Sequence, residues 1–444
     1  MTPLATKSFA VRSKPIWLSL VCMAMILRAQ AISQDITQTE QGFNKLTTSR
    51  ISIITDLELD DELKRWPVYL DQAIEQWKTV FAPVPIKLEG LQTTVYLIGD
   101  KAKWQRLGLL DQLPNLIDGY QAGDQLYVVD QPSTYYRRLL FLHEATHWIM
   151  YRWQGGAGSP WLMEGMADYQ GTHELREGRL RLGFFPSRAD QVPYWGRLRL
   201  ISDTMNKSSA PKLSEIVAFR DMQERRMERY SWSWAACTFF ATHPELRDDF
   251  QHLYRGQLDY SFESSARWLR ALENDWKKLS IQWRCFVDDL DYGMDLTRSA
   301  LEWGSLESRL LTQGEESDFM LSADRGWQSI GILLESGESI ELSAEGRVVV
   351  REFADGKKWS SEPPGLTVEY HRGKPLGCLI GVLASVEQEQ PSACWETVRI
   401  GKRAVLKASQ KSILLLKINE SSQDLADNQG TFNVSIRKAG RLKE

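Results

Sequence analysis

A His-Glu-x-x-His pattern spans residues 143–147 and is the strongest chemical signal in the chain. On a helix, His143 and His147 lie about 6 Å apart along the axis and nearly on one face, so both imidazoles can bind one divalent cation. Glu144 is rotated by about 100° from His143, which places its carboxylate beside that cation, where it can take a proton from water. The pattern predicts metal-assisted hydrolysis. An ordinary core pair of histidines is the alternative interpretation.

A third ligand is expected from residues 161–169, which read Trp-Leu-Met-Glu-Gly-Met-Ala-Asp-Tyr. A catalytic zinc ion takes three protein ligands and keeps one position open for water, and Glu164 completes a His, His, Glu set. Asp168 follows one turn later, where its carboxylate can accept the second ring N–H of a ligand histidine. The alternatives are that Glu164 only stabilises a helix N-terminus and that Asp168 is solvated.

Two consecutive helices must position these side chains. Residues 134–153 contain neither glycine nor proline and predict one helix, which should stop at the Gly-Gly pair that follows. The Ser-Pro pair at 159–160 has the residue types of an N-cap and a first helical position, so a second helix is expected over 160–176. The sequence therefore predicts a metal site between two helices joined by a short loop.

Together, these two segments resemble the gluzincin zinc peptidases, specifically the bacterial peptidase-MA-like group. The resemblance implies that zinc is bound by His143, His147 and Glu164. It also implies that Glu144 is the general base and later donates a proton to the leaving amine. An acid one turn after the third ligand supports a ligand histidine in this family, which implies that role for Asp168.

Aminopeptidase-like gluzincins also carry a tyrosine at the start of a later helix, where it stabilises the tetrahedral oxyanion. Tyr230 lies at a matching distance downstream and opens Tyr-Ser-Trp-Ser-Trp-Ala-Ala-Cys. The alternative is an aromatic residue that only packs there. The Gly-x-Met-Glu-Asn motif that captures a free amino terminus in those aminopeptidases is absent from the sequence. The resemblance therefore implies a peptidase acting on proteins or peptides, and more an endopeptidase than an aminopeptidase.

The strand predicted at residues 126–129 is the candidate for substrate contact. Gly123 and Asp124 precede it and are turn-forming residues, so the strand is expected to be an edge. An edge strand can pair with an extended peptide. In the expected reaction, zinc makes hydroxide available at neutral pH, Glu144 takes the proton, and zinc with Tyr230 stabilises the oxyanion.

A weaker signal lies near the C-terminal end, where residues 413–436 predict a strand, an acidic loop and another strand. Four oxygen-bearing side chains fall within nine residues there, namely Glu420, Asp424, Asp427 and Asn428. A hard cation such as calcium requires such a concentration of oxygen ligands. The alternative is a polar hairpin in which these residues only form turns.

The surrounding stretch, residues 327–436, resembles the bacterial galactose-binding lectin of the PA-I type. The matching segments are 331–337, 375–380, 418–420 and 427–430. In that lectin a loop of this shape holds calcium, and the ion binds sugar hydroxyls. The resemblance implies that the four side chains named above and the backbone carbonyl of Phe353 bind calcium. Three of the four side chains differ in type from the lectin's, so galactose specificity does not follow.

Composition and the order of the predicted elements indicate two folded domains. The chain has 444 residues, is 43% hydrophobic and 25% charged, and has a net charge of −4. These values exclude whole-chain disorder and give no basic footprint for nucleic acid. The sequence predicts strands at 51–54, 94–98 and 126–129 and then helices over 134–153, 160–176, 230–255 and 262–290, an order that indicates an α+β class. The resemblance to the gluzincins implies a thermolysin-like catalytic domain over 32–312. Short alternating segments from about residue 316 onward, such as 339–343 and 412–417, indicate an all-β sandwich. The resemblance to the PA-I type lectin implies that the domain over 313–444 is a lectin-like or calcium-binding accessory domain.

Residues 1–31 have the features of a secretory signal peptide. Basic residues precede an uncharged, mainly apolar run over 16–27, and Ala29-Gln30-Ala31 has the small-x-small pattern of a cleavage site. The apolar run is shorter than the ~20 residues that span a bilayer, so no stable membrane span is expected. An uncleaved anchor is the alternative. The protein is therefore expected to be secreted, periplasmic or at the cell surface.

Four cysteines would remain after cleavage. An oxidising compartment permits disulfides, and the pairing that respects the two domains is Cys237 with Cys285 and Cys378 with Cys394. Free buried thiols are the alternative.

Two functions fit the sequence. The first is a secreted zinc peptidase with an accessory sandwich that binds carbohydrate or calcium. The second is a non-catalytic exported surface protein that binds carbohydrate and has a structural zinc site. Glu144 favours the first, because a structural site has no use for a base beside an open coordination position.

Overall fold

The computed structural model describes residues 33–81, 90–113, 115–207, 210–220, 222, 226–256, 258, 262–303, 309–312, 314–389 and 395–439. The expected signal peptide at 1–31 lies outside the described residues, and so does Cys394. None of the helices in these ranges combines the length and the apolar character that a bilayer crossing requires.

The first part of the chain builds a six-stranded sheet. Its strands are β1 (Asp35–Gln38), β2 (Asn44–Thr47), β3 (Ile51–Thr55), β4 (Thr93–Ile98), β5 (Gly119–Ala122) and β6 (Gln125–Val129). They lie in the order β1-β2-β3-β4-β6-β5, and β3, β4 and β6 run parallel. The strands predicted at 51–54, 94–98 and 126–129 are all present.

The prediction that residues 126–129 form an edge strand is wrong. β6 pairs with β4 on one side and with β5 on the other, so residues 126–129 lie inside the sheet. The turn at Gly123 and Asp124 is the reason, because it connects two antiparallel strands and leaves β5 at the edge. A surface for an extended peptide must therefore be sought on β5.

The described residues form ten α-helices. They are α1 (Trp66–Phe81), α2 (Lys101–Arg106), α3 (Thr134–Gln154), α4 (Pro160–Gly171), α5 (Arg197–Asn206), α6 (Leu213–Val217), α7 (Arg226–Thr242), α8 (Arg247–Arg255), α9 (Glu263–Ala271) and α10 (Trp276–Asp289). The prediction for α3 is confirmed at both ends. The Ser133 hydroxyl accepts the backbone N–H of Tyr136 at 3.0 Å, and Gly155 ends the helix in the left-handed conformation with φ +77°.

Three predicted helical stretches differ from the structure. The helix expected over 160–176 ends at Gly171, and the chain continues into a hairpin of β7 (His173–Arg176) and β8 (Arg179–Leu182). The stretch 230–255 divides into α7 and α8 around Pro244, which cannot donate the helical hydrogen bond. The stretch 262–290 divides into α9 and α10.

A glycine brings α4 close to α7 and so fixes the direction of the α4 side chains. A Cβ atom on Gly165 would lie 2.5 Å from the carbonyl oxygen of Ser233 and 2.6 Å from Sγ of Cys237, so no larger residue fits. Glu164 precedes this contact and is buried with it. The same large apolar core holds α1, α3, α4 and α7 together.

The C-terminal part is β-rich. Its strands are β9 (Arg309–Leu310), β10 (Glu316–Ser322), β11 (Gln328–Leu334), β12 (Ser339–Glu345), β13 (Val348–Glu352), β14 (Lys358–Ser361), β15 (Leu366–His371), β16 (Lys374–Leu376), β17 (Leu379–Ser385), β18 (Val398–Arg399), β19 (Arg403–Lys407), β20 (Ser412–Ile418) and β21 (Thr431–Lys438). One sheet has the order β10-β21-β12-β19 and a second the order β18-β17-β20-β11-β9. Apolar residues of both sheets share one core, as in a sandwich.

The helical and β-rich parts meet at the end of α10. Ile281 and Cys285 of α10 share a core cluster with sandwich residues such as Trp327. The buried Asp289 forms an ion pair with the buried Lys417. The two parts therefore pack directly against each other, and the domain ranges 32–312 and 313–444 stay predictions. The mixed architecture agrees with an α+β class, while the thermolysin-like fold stays a prediction as well.

The predicted disulfide between Cys237 and Cys285 is wrong. Both residues are free, buried thiols, because Cys237 packs against α4 whereas Cys285 lies in the junction cluster. Burial raises the pKa of both thiols well above the usual range. Cys378 is also a free, buried thiol, and its expected partner Cys394 lies outside the described residues.

Candidate metal centre

Three buried ligand atoms form a small triangle between α3 and α4. The Nε2 atoms of His143 and His147 lie 3.2 Å apart, and Glu164 Oε2 lies 3.1 and 3.3 Å from them. Tetrahedral ligands at zinc distances of ~2.0–2.1 Å are about 3.3 Å apart, so the triangle has the size that zinc needs. Within the described ranges, no other group of three His, Cys, Asp or Glu residues brings its ligand atoms within 4.8 Å of one another.

The charges around the triangle favour a cation. Burial raises the pKa of Glu164, but the positive charge of His147 and hydrogen bonds with both imidazoles lower it well below the usual range. Burial lowers the pKa of His143, but hydrogen bonds to Asp168 and Glu164 outweigh it and raise the pKa. The carboxylates of Glu164 and Asp168 therefore stabilise a positive charge at the triangle. A divalent metal ion can supply that charge in place of protons.

Asp168 fixes the orientation of the first ligand histidine. Its Oδ1 lies 3.1 Å from Nδ1 of His143, as the sequence predicted. Arg197, which no sequence pattern indicated, donates from Nε to Oδ2 of Asp168 at 2.8 Å. All three side chains are buried. The Asp168–Arg197 ion pair therefore holds the carboxylate, and the carboxylate holds Nδ1, which leaves Nε2 of His143 for a metal ion.

Glu144 lies beside the triangle and is only 5% exposed. Its carboxylate accepts no hydrogen bond from any described residue. Burial raises its pKa, and Glu164 adds to this, while the two histidines oppose it. A buried carboxylate without a protein partner next to a metal site is placed to bind and deprotonate water.

The edge strand β5 touches this carboxylate. A Cβ atom on Gly119, the first residue of β5, would lie 2.3 Å from Oε1 of Glu144. Glycine is therefore required for β5 to approach the base so closely. The sequence contains Gly119 in an Asp-Gly pair, but nothing in the pattern showed that the two segments meet.

Tyr230 lies in the second turn of α7 and faces the same site. Its ring centroid is 6.0 Å from that of His143, and it lines a cavity of about 20 Å³ together with Glu144. Such a cavity holds about one water molecule. Two charged residues that the sequence did not indicate, Asp118 and Arg226, also line the cavity and form an ion pair at 3.2 Å.

The residues of the predicted calcium site are only partly brought together. The amide of Asn428 donates to Glu420 at 2.6 Å, while Asp427 Oδ2 accepts the backbone N–H of Glu352 at 2.9 Å. This second bond places the β13–β14 turn, which contains Phe353, against the acidic loop. The Phe353 carbonyl itself accepts the N–H of Gly356 at 2.8 Å.

Two acceptor atoms in this loop have no partner. Oε1 of Glu420 and Oδ1 of Asn428 are buried and receive no hydrogen bond from the described residues. Such oxygen atoms are costly to bury alone, and a cation or water satisfies them. Burial is the main reason that the pKa of Glu420 is raised to about 8; the Asn428 hydrogen bond opposes this rise, and the charges of Asp424 and Asp427 contribute to it. Asp424 is half-buried, and burial raises its pKa as well.

Comparisons with known proteins give weak likenesses. No protein-family model matches the chain, and no curated protein matches it. Among solved structures, the EclA N-terminal domain, a PllA-like lectin, has a TM-score of 0.22 and 17% identity over 28% of this chain and 95% of that chain. The IMPa metallopeptidase from Pseudomonas aeruginosa has a TM-score of 0.16 and 11% identity over 78% of this chain and 37% of that chain. At these TM-scores neither likeness decides the fold or the function.

Proposed function

We propose that this protein is an exported zinc peptidase that hydrolyses peptide bonds in a protein or peptide substrate. The observation that carries the proposal is the buried triangle of His143, His147 and Glu164 with the carboxylate of Glu144 beside it, which accepts no hydrogen bond from the described part of the chain. The three ligands fit a catalytic zinc ion in number, type and spacing. Export rests on the sequence of residues 1–31.

Each side chain around the triangle has a distinct role in this proposal. Bound zinc lowers the pKa of a water molecule from 15.7 to about 7. Glu144 would take a proton at its carboxylate from the water whose oxygen adds to the scissile carbonyl carbon, and would pass that proton to the amine nitrogen as the C–N bond breaks. Tyr230 donates its phenol O–H to the oxyanion that forms on the scissile carbonyl. Asp168 and Arg197 keep His143 oriented.

The substrate would lie along β5. Among the described residues this strand has a neighbouring strand on one side only, its first residue contacts Glu144, and Tyr120 on it is 49% exposed. An extended peptide can pair with such an edge and thereby bring its backbone carbonyl to the base. Because backbone pairing requires no free amino terminus, this placement supports endopeptidase action.

The proposal is tested by metal content and peptide hydrolysis. Purified protein should contain about one zinc ion per chain at the triangle and should cleave members of a mixed-sequence peptide library. A chelator should remove both the zinc and the hydrolysis, and added zinc should restore them. Bound zinc without any hydrolysis would instead support the alternative function, a non-catalytic surface protein with a structural site.

Gly119→Ala should impair hydrolysis without removing the metal. The new Cβ would lie 2.3 Å from Oε1 of Glu144, so the carboxylate or β5 must move. A displacement of about 1 Å of a catalytic group costs ~10²-fold in rate. Steady-state rates and zinc content of the variant measure the effect. Unchanged kinetics would show that β5 does not constrain the position of the Glu144 carboxylate.

The β-rich part is proposed to bind calcium, and through it carbohydrate. The supporting observation is a pair of buried oxygens on Glu420 and Asn428 that receive no hydrogen bond within the ranges that the structure describes. Asp424, Asp427 and the Phe353 carbonyl are the further ligands that the resemblance to the PA-I type lectin implies. A glycan array, probed with calcium and with a calcium chelator, tests the carbohydrate part.

Calcium should stabilise the protein more at about pH 9 than at about pH 5. A carboxyl group whose folded pKa is raised from 4.5 to about 8 contributes stability that is complete below the unfolded pKa and is lost as the pH rises through 8. In that upper range calcium can take the place of the lost proton on Glu420. Thermal unfolding with and without calcium at both pH values measures this, and Glu420→Gln should remove the difference. An equal calcium effect at both pH values would contradict the site.

A further inference from the structure

We infer that Arg226 is a positioning residue that aims the hydroxyl of Tyr230 at the reacting carbonyl. The inference rests on the proposed zinc peptidase function and concerns the same site. Tyr230 is proposed to donate to the oxyanion, and such a donor works only if its proton points into the cavity at the moment of reaction.

The contacts of Arg226 determine which way that proton points. Its guanidinium carbon lies 5.4 Å from the ring centroid of Tyr230, and both side chains line the same cavity. A guanidinium is positively charged and has donors only, so the phenol group turns its oxygen toward Arg226 and its proton away from it. The phenol proton is therefore left for a second partner, in a cavity that Glu144 and His143 also line.

Arg226 is itself held by the edge of the sheet. Its Nη1 lies 3.2 Å from Oδ2 of Asp118, the residue directly before β5. Asp118 thus ties the first residue of α7 to the strand on which the substrate is proposed to lie. On the other side, the Arg197 guanidinium lies 5.8 Å from the Tyr230 ring. The tyrosine is held by two guanidinium groups, and each of these is fixed by an aspartate.

Folding stability is not an adequate explanation for the Asp118–Arg226 pair. Its two side chains are 31% and 24% exposed, and ion pairs this close to solvent contribute little to folding. Loss of Arg226 should therefore appear in the binding of tetrahedral anions rather than in protein stability. Because one oxyanion donor is worth ~10²–10³-fold, a mispositioned donor should lose about tenfold.

The test uses the zinc-loaded full chain and a tetrahedral probe. Phosphinic peptides of mixed sequence carry a tetrahedral anion where a substrate has its scissile carbonyl, and unmodified peptides of the same sequences report ground-state binding. Four proteins are compared: the wild type, Tyr230→Phe, Arg226→Gln and the double variant. Arg226→Gln should bind the phosphinic probe ~10-fold more weakly, with unmodified-peptide affinity and zinc content unchanged.

The double variant separates positioning from direct contact. If Arg226 acts through Tyr230, Arg226→Gln should have no further effect in the Tyr230→Phe background. Arg226→Lys should recover part of the affinity, because an ammonium group keeps a positive charge beside the phenol, and this variant also serves if the glutamine variant fails to fold. Arg229→Gln, three residues along α7 with its guanidinium over Phe219, is the matched control and should behave as wild type.

Two outcomes would overturn the inference while the peptidase assignment stands. One is wild-type probe affinity in Arg226→Gln, and the other is an undiminished effect of that substitution in the Tyr230→Phe background. If the wild type shows no zinc-dependent binding of any phosphinic probe, the proposed function fails, and the inference fails with it.

Discussion

Glu144→Gln should abolish peptide hydrolysis and leave the zinc content unchanged. The amide has nearly the shape of the carboxylate but cannot take a proton from water, and general-base catalysis is worth ~10²–10⁴-fold in rate. None of the three ligand atoms of the triangle belongs to Glu144, so the metal should stay bound.

Because of the surroundings of Glu144, this substitution should remove the proton acceptor and change little else. Its carboxylate accepts no hydrogen bond from the described residues, so the variant loses no hydrogen bond to them. Burial already disfavours the charged form, and a neutral amide should be at least as well tolerated there. Glu164→Gln is the matched comparison. It should lose both zinc and hydrolysis, because Oε2 of Glu164 is one of the three ligand atoms.

Metal analysis and mass spectrometry of a mixed peptide digest distinguish the possible results. Hydrolysis that persists in Glu144→Gln at the wild-type rate would assign the base to another residue. If neither protein cleaves any peptide while both bind zinc, the site is structural and the protein is the surface binder of the second hypothesis.

The sequence predicted the metal triangle because its geometry is local. Helical spacing alone places His143 and His147 on one face, and a short loop before α4 brings Glu164 to them. The cap at Ser133 and the stop at Gly155 are local signals as well, and both ends of α3 were predicted correctly. Asp168 follows from the same helical repeat, one turn after Glu164.

The residues that complete the site could not be predicted, because they come from tertiary contacts. Three of these residues lie far along the chain from the His-Glu-x-x-His motif, and no fixed spacing relates them to it, namely Arg197, Arg226 and Asp118. Gly119 meets Glu144 only because β5 folds back along β6. A two-residue turn was visible at Gly123, but its partner strand of four residues was too short to recognise.

The errors in secondary structure have similar causes. The helical pattern over 160–176 includes His173–Arg176, which form β7 in the structure and pair with Arg179–Leu182 of β8. This strand pairing decides their conformation, and it could not be predicted from helical spacing. The alternating pattern of the C-terminal part, in contrast, predicted strands at 339–343 and 412–417 that the structure contains. Alternation specifies a strand with one buried face, whereas the order of the strands depends on pairing.

Lys417→Met should destabilise the protein by about 3–5 kcal/mol, because it leaves a buried carboxylate without its counter-ion. Lys417 and Asp289 are each about 2% exposed and form an ion pair across the junction of α10 with β20. The Lys417 ammonium also lies 5.8 Å from the ring of Trp327. Neighbouring Asp288 is held separately, by Nη1 of Arg372 at 3.1 Å.

The pH dependence of this destabilisation should identify the unpaired carboxylate of Asp289 as its cause. Burial already raises the pKa of Asp289, and Lys417 opposes this, so removal of the lysine should raise the pKa further. A raised carboxyl pKa contributes stability at low pH that is lost as the pH rises through the folded value. The variant should therefore be closest to wild type in acid and most destabilised above neutrality.

Urea unfolding at several pH values measures the effect, and two further variants interpret it. Lys411→Met removes a cation paired with Glu335 at side-chain exposures of 37% and 44%, and such a surface pair is worth only about 0–1 kcal/mol. Lys417→Met combined with Asp289→Leu removes both charges and should restore most of the stability, since a buried pair replaced by apolar residues is often neutral. A loss in Lys417→Met no larger than in Lys411→Met would mean that Asp289 reaches water and that α10 does not dock on the sandwich as described.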